Sequence, residues 1–453
     1  MPQPPPAAQN DSGKADSGSG LAARRAALQI LASALQHRRA LDEALSGPGL
    51  ADLDPRDRAF ARALALTVLR RRGALDLILR SKLQRPPPDA VIELLRLGAA
   101  QLLYMDTPVH AAVSTSVDLA AERPATRPFR SLVNAVLRGL LREAPPPVPP
   151  QALAPDWLYA RWRAAWGDAD ALAICELVAS EPATDLTPRD ADRPSALTGA
   201  LAESLEAVVL PGGSLRTSRR GDVAGWPGYA KGDWWVQDAS AAVPARLLGV
   251  RPGETALDLC AAPGGKTLQL AATGATVTAL DRSAVRLGRV KENFERVGLQ
   301  AEIVAAEAAE WPDTRQFDAV LLDAPCTATG TFRRHPDLLW ASRPADVAKL
   351  AAAQAGLLLA AADRVRPGGR MVYCVCSLER EEGEAQIEAF LRTRSDFRLV
   401  PITPGEGGAP PASITAEGTL RILPHHIEGG ADGFFAARLT RLPDPASKAK
   451  SSP

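Results

Sequence analysis

The chain has 453 residues, of which 53 are Lys or Arg and 52 are Asp or Glu, so its formal net charge is only +1. This length exceeds what one hydrophobic core usually organises, and we expect two or three domains. A content of 46% hydrophobic and 23% charged residues excludes a wholly disordered chain and a fibre. Taken as a whole, the near-zero charge argues against a polyanionic partner.

The sequence has no apolar run of the length that a membrane span requires, since Gln354 and Gly356 interrupt the longest candidate at residues 350–362. Residues 1–20 are polar and rich in Pro, Gly and Ser, which predicts a disordered tail and not a secretory signal. Five cysteines, an odd number, favour reduced thiols over a disulfide framework. We therefore expect a cytoplasmic protein without a membrane partner.

The charge is unevenly distributed along the chain. Residues 21–150 carry 19 basic and 12 acidic side chains, or +7, whereas residues 151–453 sum to −5 and residues 1–20 to −1. The +7 segment has helical apolar periodicity. One such stripe comprises Phe129, Leu132, Val133, Val136, Leu137, Leu140 and Leu141.

Three arginines, Arg127, Arg138 and Arg142, project from the face opposite this stripe. They either solvate the back of the helix or, because their charges share one sign, form a surface that binds phosphates. The periodicity leaves both interpretations open.

Composition and periodicity predict a multidomain protein with an all-α module, a small α/β domain and a doubly wound α/β domain. The predicted limits are 1–20 for a disordered tail, 21–144 for the helical module, 145–153 for a Pro-rich linker, 154–240 for a small RRM-like α/β domain, 241–442 for the doubly wound domain, and 443–453 for a second disordered tail.

The segment TALDLCAAPGGKT at residues 255–267 predicts a strand, a small-residue loop and a helix. It lacks the spacing of a dinucleotide fingerprint, and Cys260 stands where a Walker A loop needs Gly. The next strand ends in Asp281, which can accept hydrogen bonds from a ribose diol. This order suits S-adenosylmethionine, although a tight turn before a helix explains the loop equally well.

Two further predicted strands end in cysteines. FDAVLLDAPCTATG, from residue 317, presents Asp323 and Cys326, and GRMVYCVCS, from residue 369, presents Cys374 and Cys376. The carboxyl ends of parallel strands share one sheet edge with the cofactor loop, where ligands bind. Cys376, at the strand terminus, is the better nucleophile, whereas Cys374 is expected to pack. We predict no metal site, because the segment lacks a C-x-x-C pair.

A thiol beside a methyl donor suits methylation of carbon 5 of a pyrimidine. That carbon is not nucleophilic in the aromatic ring, but addition of a thiolate at carbon 6 turns it into an enamine carbon. Asp323 is placed to stabilise the charge that develops at the ring nitrogen.

At these residues the chain closely resembles the Sun/Fmu (RsmB-type) ribosomal RNA cytosine-5 methyltransferases. The matching segments are LDLCAAPGGKT, LLDAPCTATGTFRRHPD, VYCVCS, DGFFAARL and, upstream, WWVQDASA. DPRDRAFARALALTVLRR and the pair VHAAVSTSVDLA and LVNAVLRG are similar to the NusB-like RNA-binding domain of that branch. The resemblance covers residues 20 to 442.

The resemblance implies a NusB-like module and a Rossmann-like domain that uses S-adenosylmethionine. It implies that Cys376 bonds to carbon 6, that Cys326 assists release of the product, and that Asp323 lies between cytosine and cofactor. Asp281 would hold the ribose, and Glu307 stands where the family has Asp. The methionine part would lie on Cys260, Ala261, Ala262, Pro263, Gly264, Gly265 and Lys266.

Arg333, Arg334 and His335 follow the Cys326 loop and are candidates to hold phosphates beside a flipped base. A surface ion pair or a helix start at Pro336 explains them equally well.

The sequence thus predicts methylation of carbon 5 of a cytidine in small-subunit (16S) ribosomal RNA by a monomer. A non-catalytic RNA-binding assembly factor is one alternative, and a methyltransferase of proteins or small molecules is another. The intact cofactor loop and both cysteines argue against the first. The +7 module argues against the second, because a methyltransferase of proteins or small molecules needs no domain that binds a polyanion.

Overall fold

The computed structural model describes residues 16–190 and 196–443. These residues form two compact units, one containing residues 16–156 and 335–341, the other containing the rest of the described chain. The predicted disordered tail at 1–20 is wrong for its last residues, because the first helix already begins at Asp16. The remainder of that tail, and all of the tail at 443–453 except residue 443, lie outside the described residues.

The first unit is all-helical, as predicted. Its helices before residue 140 are α1 (Asp16–Leu35), α2 (Leu41–Ala44), α3 (Pro55–Arg80), α4 (Asp89–Tyr104), α5 (Val109–Glu122) and α6 (Arg130–Gly139). Val133, Val136 and Leu137 of the predicted stripe are buried in the core. Leu141 is 47% exposed, because α6 ends at Gly139 and the helical spacing does not continue to it.

The Pro-rich segment does not form a free spacer in this structure. Residues Pro150–Leu153 make a 3-10 turn that packs against α3. A side chain at Gly73 of α3 would collide with the carbonyl oxygen of Ala152. A glycine is therefore required for this close approach.

The second unit begins with helices and a small antiparallel sheet. In chain order these are α7 (Asp156–Trp166), α8 (Asp168–Val178), β1 (Thr184–Pro188), α9 (Ala196–Ser204), β2 (Val208–Val209), β3 (Leu215–Thr217) and β4 (Trp234–Val236). The strand order is β2-β3-β1-β4. Leu186, Leu215 and Trp234 form a separate small core with α9.

The rest of the second unit is built around one large sheet. Its elements are α10 (Ala239–Leu248), β5 (Thr255–Leu259), α11 (Gly265–Ala272), β6 (Thr276–Asp281), α12 (Ala284–Val297), β7 (Glu302–Ala305), β8 (Phe317–Asp323), α14 (Pro344–Asp363), β9 (Val365–Val375), α15 (Glu384–Thr393), β10 (Phe397–Leu399), β11 (Leu420–Ile422) and β12 (Phe434–Arg441). The intervening short helix α13 (Asp337–Ala341) belongs to the first unit.

Strands β5 to β9 are parallel, in the order β9-β8-β5-β6-β7, and side chains alternate between two cores. Ala319 and Leu321 face α10 to α12, whereas Val320 and Leu322 face α14 and α15. The doubly wound arrangement is therefore confirmed. The sheet is mixed, however, because β12 pairs antiparallel with β9, β10 and β11.

Among the described residues, α14 alone is long and apolar enough to cross a membrane by length and composition. It packs along β8 and β9, and Leu358 and Ala361 are buried in the adjacent core. Gln354, which interrupts its apolar run, is fully buried and donates hydrogen bonds.

Candidate active site

The predicted site lies at the carboxyl edge of three adjacent parallel strands. The loop after β5 carries residues 260–266, β8 ends at Asp323, and β9 ends just before Cys376. Because β5 pairs with β8 and β8 with β9, these three chain segments leave the sheet side by side. Ligands of open α/β sheets bind at this edge.

The loop between β5 and α11 is tightly folded. Cys260 and Gly264 both adopt left-handed backbone conformations, with φ of 62° and 101°. Gly264 caps the eight-residue helix α11, and a side chain on Gly265 would press against Gln237. A small-residue loop that leads into a helix N-terminus is an arrangement in which backbone N–H groups can bind a ligand closely.

Asp281 is a buried carboxylate that ties the end of β6 to this loop. It accepts hydrogen bonds from the backbone N–H groups of Ala262 at 3.1 Å and Ser283 at 2.9 Å. Arg286 forms an ion pair with Asp281 at 3.5 Å and donates to the Ala262 carbonyl. Glu307 is half exposed and lies 3.8 Å from Arg282. The sequence alone did not indicate the role of Arg286.

The two strand-end thiols are neighbours. The Sγ atoms of Cys326 and Cys376 lie 3.5 Å apart, and both side chains are partly buried. The hydrogen bond with Cys376, and secondly burial, raises the pKa of the Cys326 thiol well above its ordinary value. The two sulfur atoms are within hydrogen-bonding distance of each other, and either thiol can act as the donor.

Asp323 lies between Lys266 and Cys374. Lys266 Nζ donates to Asp323 Oδ2 at 2.7 Å, and Cys374 Sγ lies 3.5 Å from Asp323 Oδ1. Although burial opposes it, the Asp323 carboxylate raises the pKa of Lys266 above its usual range. Cys374 is fully buried, as predicted, but it also contacts this carboxylate.

Lys266 contacts an aromatic ring as well as the Asp323 carboxylate. Its Nζ lies 4.9 Å from the ring centroid of Phe434, which is buried at the start of β12. The ring contributes a cation–π contact to the ammonium.

Asp258, on β5 beneath the loop, carries an unusual carboxyl group. Its Oδ2 accepts a hydrogen bond from Thr267 at 2.6 Å, whereas its buried Oδ1 has no protein partner. Burial raises the pKa of Asp258 to about 7. Asp258 thus keeps one buried acceptor atom that no described protein group uses.

Backbone hydrogen bonds connect the three chain segments around the thiols, at residues 330, 376 and 433. Gly330 N donates to the Cys376 carbonyl at 3.0 Å, and Gly433 N donates to the Gly330 carbonyl at 2.8 Å. A side chain on Gly330 would collide with the carbonyl oxygens of Gly433 and Cys376. This close crossing explains why glycines stand at 330 and 433.

The structure places the three candidate phosphate ligands after Cys326 differently. Arg333 is 2% exposed and donates to the Gly429 carbonyl at 2.7 Å. Arg334 pairs with the buried carboxylate of Asp432. His335 belongs to the first unit. The predicted RNA contacts of these residues stay predictions, but both arginines already serve as internal partners.

Arg127, Arg138 and Arg142 of the first unit are all exposed. Arg127 donates to the Ala121 carbonyl at 3.0 Å, and Arg138 donates to Asn134 within α6 at 3.0 Å. Of the three, Arg138 alone lies on α6, since Arg127 belongs to the 3-10 turn before it and Arg142 follows its end, so the helical spacing accounts for the exposure of Arg138 alone.

Comparisons with known proteins bear on both units. Residues 245–440 match the family model described as 16S rRNA methyltransferase RsmB/F, and residues 21–142 match the NusB family. The "Ribosomal RNA small subunit methyltransferase B" of Xanthomonas campestris pv. campestris is 40% identical, over 93% of this chain and 98% of its own.

Two solved structures have a similar fold. The crystal structure of PH0851 superposes with a TM-score of 0.72 at 24% identity, covering 92% of this chain and 98% of its own. That of a methyltransferase homologue from Pyrococcus horikoshii superposes with a TM-score of 0.53 at 26% identity, covering 67% and 98%. Since a relative with 40% identity is covered almost entirely, the chain belongs to the RsmB family of small-subunit ribosomal RNA methyltransferases.

Proposed function

We propose that this protein methylates carbon 5 of a cytidine in 16S ribosomal RNA through a covalent bond between Cys376 and carbon 6 of the base. The observation that carries the proposal is the pair of thiols 3.5 Å apart at the ends of two adjacent strands. The ion pair of Lys266 with Asp323 lies at the same edge of the sheet. An amino-group methyltransferase has no need of two thiols there.

The residues around the β5 loop fit S-adenosylmethionine. The unpartnered Asp258 Oδ1 and the amides at the start of α11 offer an acceptor and donors to the methionine part. Asp281, with two of its acceptor positions filled by backbone N–H groups, has capacity left for a ribose diol. Glu307 is assigned to the nucleoside end, as the family resemblance implies. When bound, the cofactor would supply an electrophilic methyl group for carbon 5.

Cys376 acts as the nucleophile in this proposal. As a thiolate it forms the Sγ–C6 bond, and the electron pair displaced from the C5–C6 double bond makes carbon 5 nucleophilic. Asp323 donates or shares a proton with the ring nitrogen, and the Lys266 ammonium, which donates to Asp323, adds positive charge beside the negative charge that develops on the ring.

Cys326 acts in product release. After carbon 5 carries the methyl group, its proton must leave so that the electrons of the C5–H bond reform the C5–C6 double bond and expel the Cys376 sulfur. Cys326 lies 3.5 Å from that sulfur, so it is placed to give its thiol proton to the departing sulfur of Cys376 and, as the resulting thiolate, to take the proton from carbon 5.

The reaction is tested by incubating the protein with unmodified 16S ribosomal RNA and methyl-labelled S-adenosylmethionine, followed by digestion to nucleosides. We expect the label in 5-methylcytidine. Label in another nucleoside would overturn the assignment to carbon 5, and RNA binding without any methyl transfer would favour the assembly-factor alternative.

We further propose that the exposed arginines of the first unit bind RNA phosphates. A variant with Arg127, Arg138 and Arg142 changed to Gln should bind RNA more weakly. The slope of log K against log salt concentration should fall by about 2, since each lost phosphate contact on single-stranded RNA removes roughly 0.7. Affinity for S-adenosylmethionine should not change.

A matched control changes three exposed arginines of the second unit, Arg163, Arg220 and Arg398, to Gln. This variant has the same net charge as the first. Equal losses of RNA affinity in the two triple variants would show that overall charge, and not the first unit, carries the binding.

A further inference from the structure

A buried carboxylate, Glu382, lies behind the two cysteines. It is 0% exposed and follows β9 in a short 3-10 turn. The reaction proposed above assigns it no role. Because burying a carboxylate is costly unless its oxygens are hydrogen-bonded, its partners indicate what it does there.

Both oxygens of Glu382 accept hydrogen bonds, four in all, from residues on three separate chain segments. Oε1 accepts from the backbone N–H of Thr327 at 3.0 Å and from Gln354 Nε2 at 3.0 Å. Oε2 accepts from the hydroxyls of Thr327 at 2.5 Å and Ser377 at 2.5 Å.

These partners stand directly next to the cysteines in the chain. Thr327 follows Cys326, and Ser377 follows Cys376. Gln354 of α14 also donates to the carbonyl of Pro325 at 2.9 Å, so the residues on both sides of Cys326 are held. Three of these hydrogen bonds therefore restrain the Cys326 loop, two through Thr327 and one through Pro325. One restrains the Cys376 segment, through Ser377.

The backbone at Glu382 is itself fixed. The Tyr373 hydroxyl, on β9, donates to the Glu382 carbonyl at 2.6 Å. Tyr373 is fully buried in the core of the sheet. Glu382 therefore connects strand β9, through Tyr373, to the Cys326 loop, through Thr327, and fixes the loop relative to the strand.

We infer that Glu382 is a positioning residue that sets the placement of Cys326 relative to Cys376 and thereby governs product release. This inference rests on the proposed function. It assigns to Glu382 no contact with the RNA or with the cofactor, only hydrogen bonds to the segments that carry the thiols.

The test compares Glu382→Ala with Glu382→Gln and measures kcat, both KM values and the share of enzyme trapped as a covalent RNA adduct. For Glu382→Ala we expect kcat to fall on the order of 100-fold, as a misplacement of about 1 Å can cause. KM should stay within about threefold, and the adduct share should rise above that of wild type, because release depends on Cys326.

Glu382→Gln is expected to recover kcat to within roughly tenfold of wild type. Its amide oxygen can accept from Thr327 N–H and Gln354, while the two hydroxyls rotate to accept from its NH₂. Glu381→Gln is the matched control, since Glu381 is half exposed and pairs with Arg161. It should behave as wild type.

The inference is overturned if Glu382→Ala keeps kcat within about twofold of wild type, or if its adduct share falls along with kcat, as loss of folded protein alone would produce. If Glu382→Ala does not fold, Gln354→Leu removes the hydrogen bonds to Pro325 and Glu382 and should raise the adduct share in the same way. Absence of 5-methylcytidine from the wild-type reaction would instead refute the proposed function.

Discussion

Cys376→Ala should abolish methylation, with a loss of at least about a thousand-fold in rate, because without the Sγ–C6 bond carbon 5 has no nucleophilic character. Cys326→Ala should still form the Sγ–C6 bond but should fail to break it after methyl transfer. We therefore expect a covalent RNA–protein species that survives denaturing electrophoresis with Cys326→Ala and is absent with Cys376→Ala.

Cys175→Ala provides the control for these two variants. Cys175 is buried in α8, and its substitution also removes one thiol. The variant therefore tests the effect of removing a thiol elsewhere in the second unit. Its methylation rate should stay within about twofold of wild type. If Cys376→Ala methylated RNA at the normal rate, or if Cys326→Ala alone lost all adduct, the roles of the two thiols would have to be reassigned.

Arg334→Gln should destabilise the protein by about 3 kcal/mol, because it removes the ion-pair partner of the buried Asp432 carboxylate. Asp432 is 0% exposed and Asp238 is 7% exposed, and Arg334 interacts with both of them, as Arg333 and Arg216 also do. Burial raises the pKa of Asp432 to about 6, although Arg334 acts to lower it. Without Arg334, the Asp432 carboxyl group loses its ion-pair partner, although Arg333 and Arg216 still act on the two carboxyl groups.

The measurement is the free energy of unfolding in urea, with Arg142→Gln as the control. Arg142 is exposed, and its substitution should change stability by no more than about 0.5 kcal/mol. If Arg334→Gln unfolded like wild type but bound RNA more weakly, the sequence-based interpretation of Arg334 as a phosphate ligand would be correct and its structural role minor.

The features that the sequence predicts well are local ones. The strand ending in Asp323, the strand ending in Cys376 and the small-residue loop from Cys260 each follow from a single continuous pattern. The parallel arrangement then requires that they meet at one edge, whatever the details of the loops. The confirmed doubly wound core is a consequence of the same alternation of strands and helices.

The features that the sequence misses depend on distant partners. The charge of Arg334 suggested a surface role, but its carboxylate partner, Asp432, lies 98 residues further along the chain. Glu382 accepts hydrogen bonds from residues 327, 354 and 377. These residues lie far apart in the sequence, and no sequence pattern indicates that they meet. The antiparallel pairing of β10 and β11 with β12 involves strands of three residues, too short for a clear alternation.

The excursion of residues 335–341 into the first unit has a practical consequence. The chain passes between the two units three times, after residues 156, 334 and 341. Trp340 of α13 donates to the Leu69 carbonyl of α3 at 3.0 Å, and Leu339 is fully buried. A fragment that starts at residue 157 would keep α13 but lose the helices on which it packs. One proteolytic cut therefore cannot yield two self-contained proteins, and a catalytic fragment would need residues 335–341 redesigned.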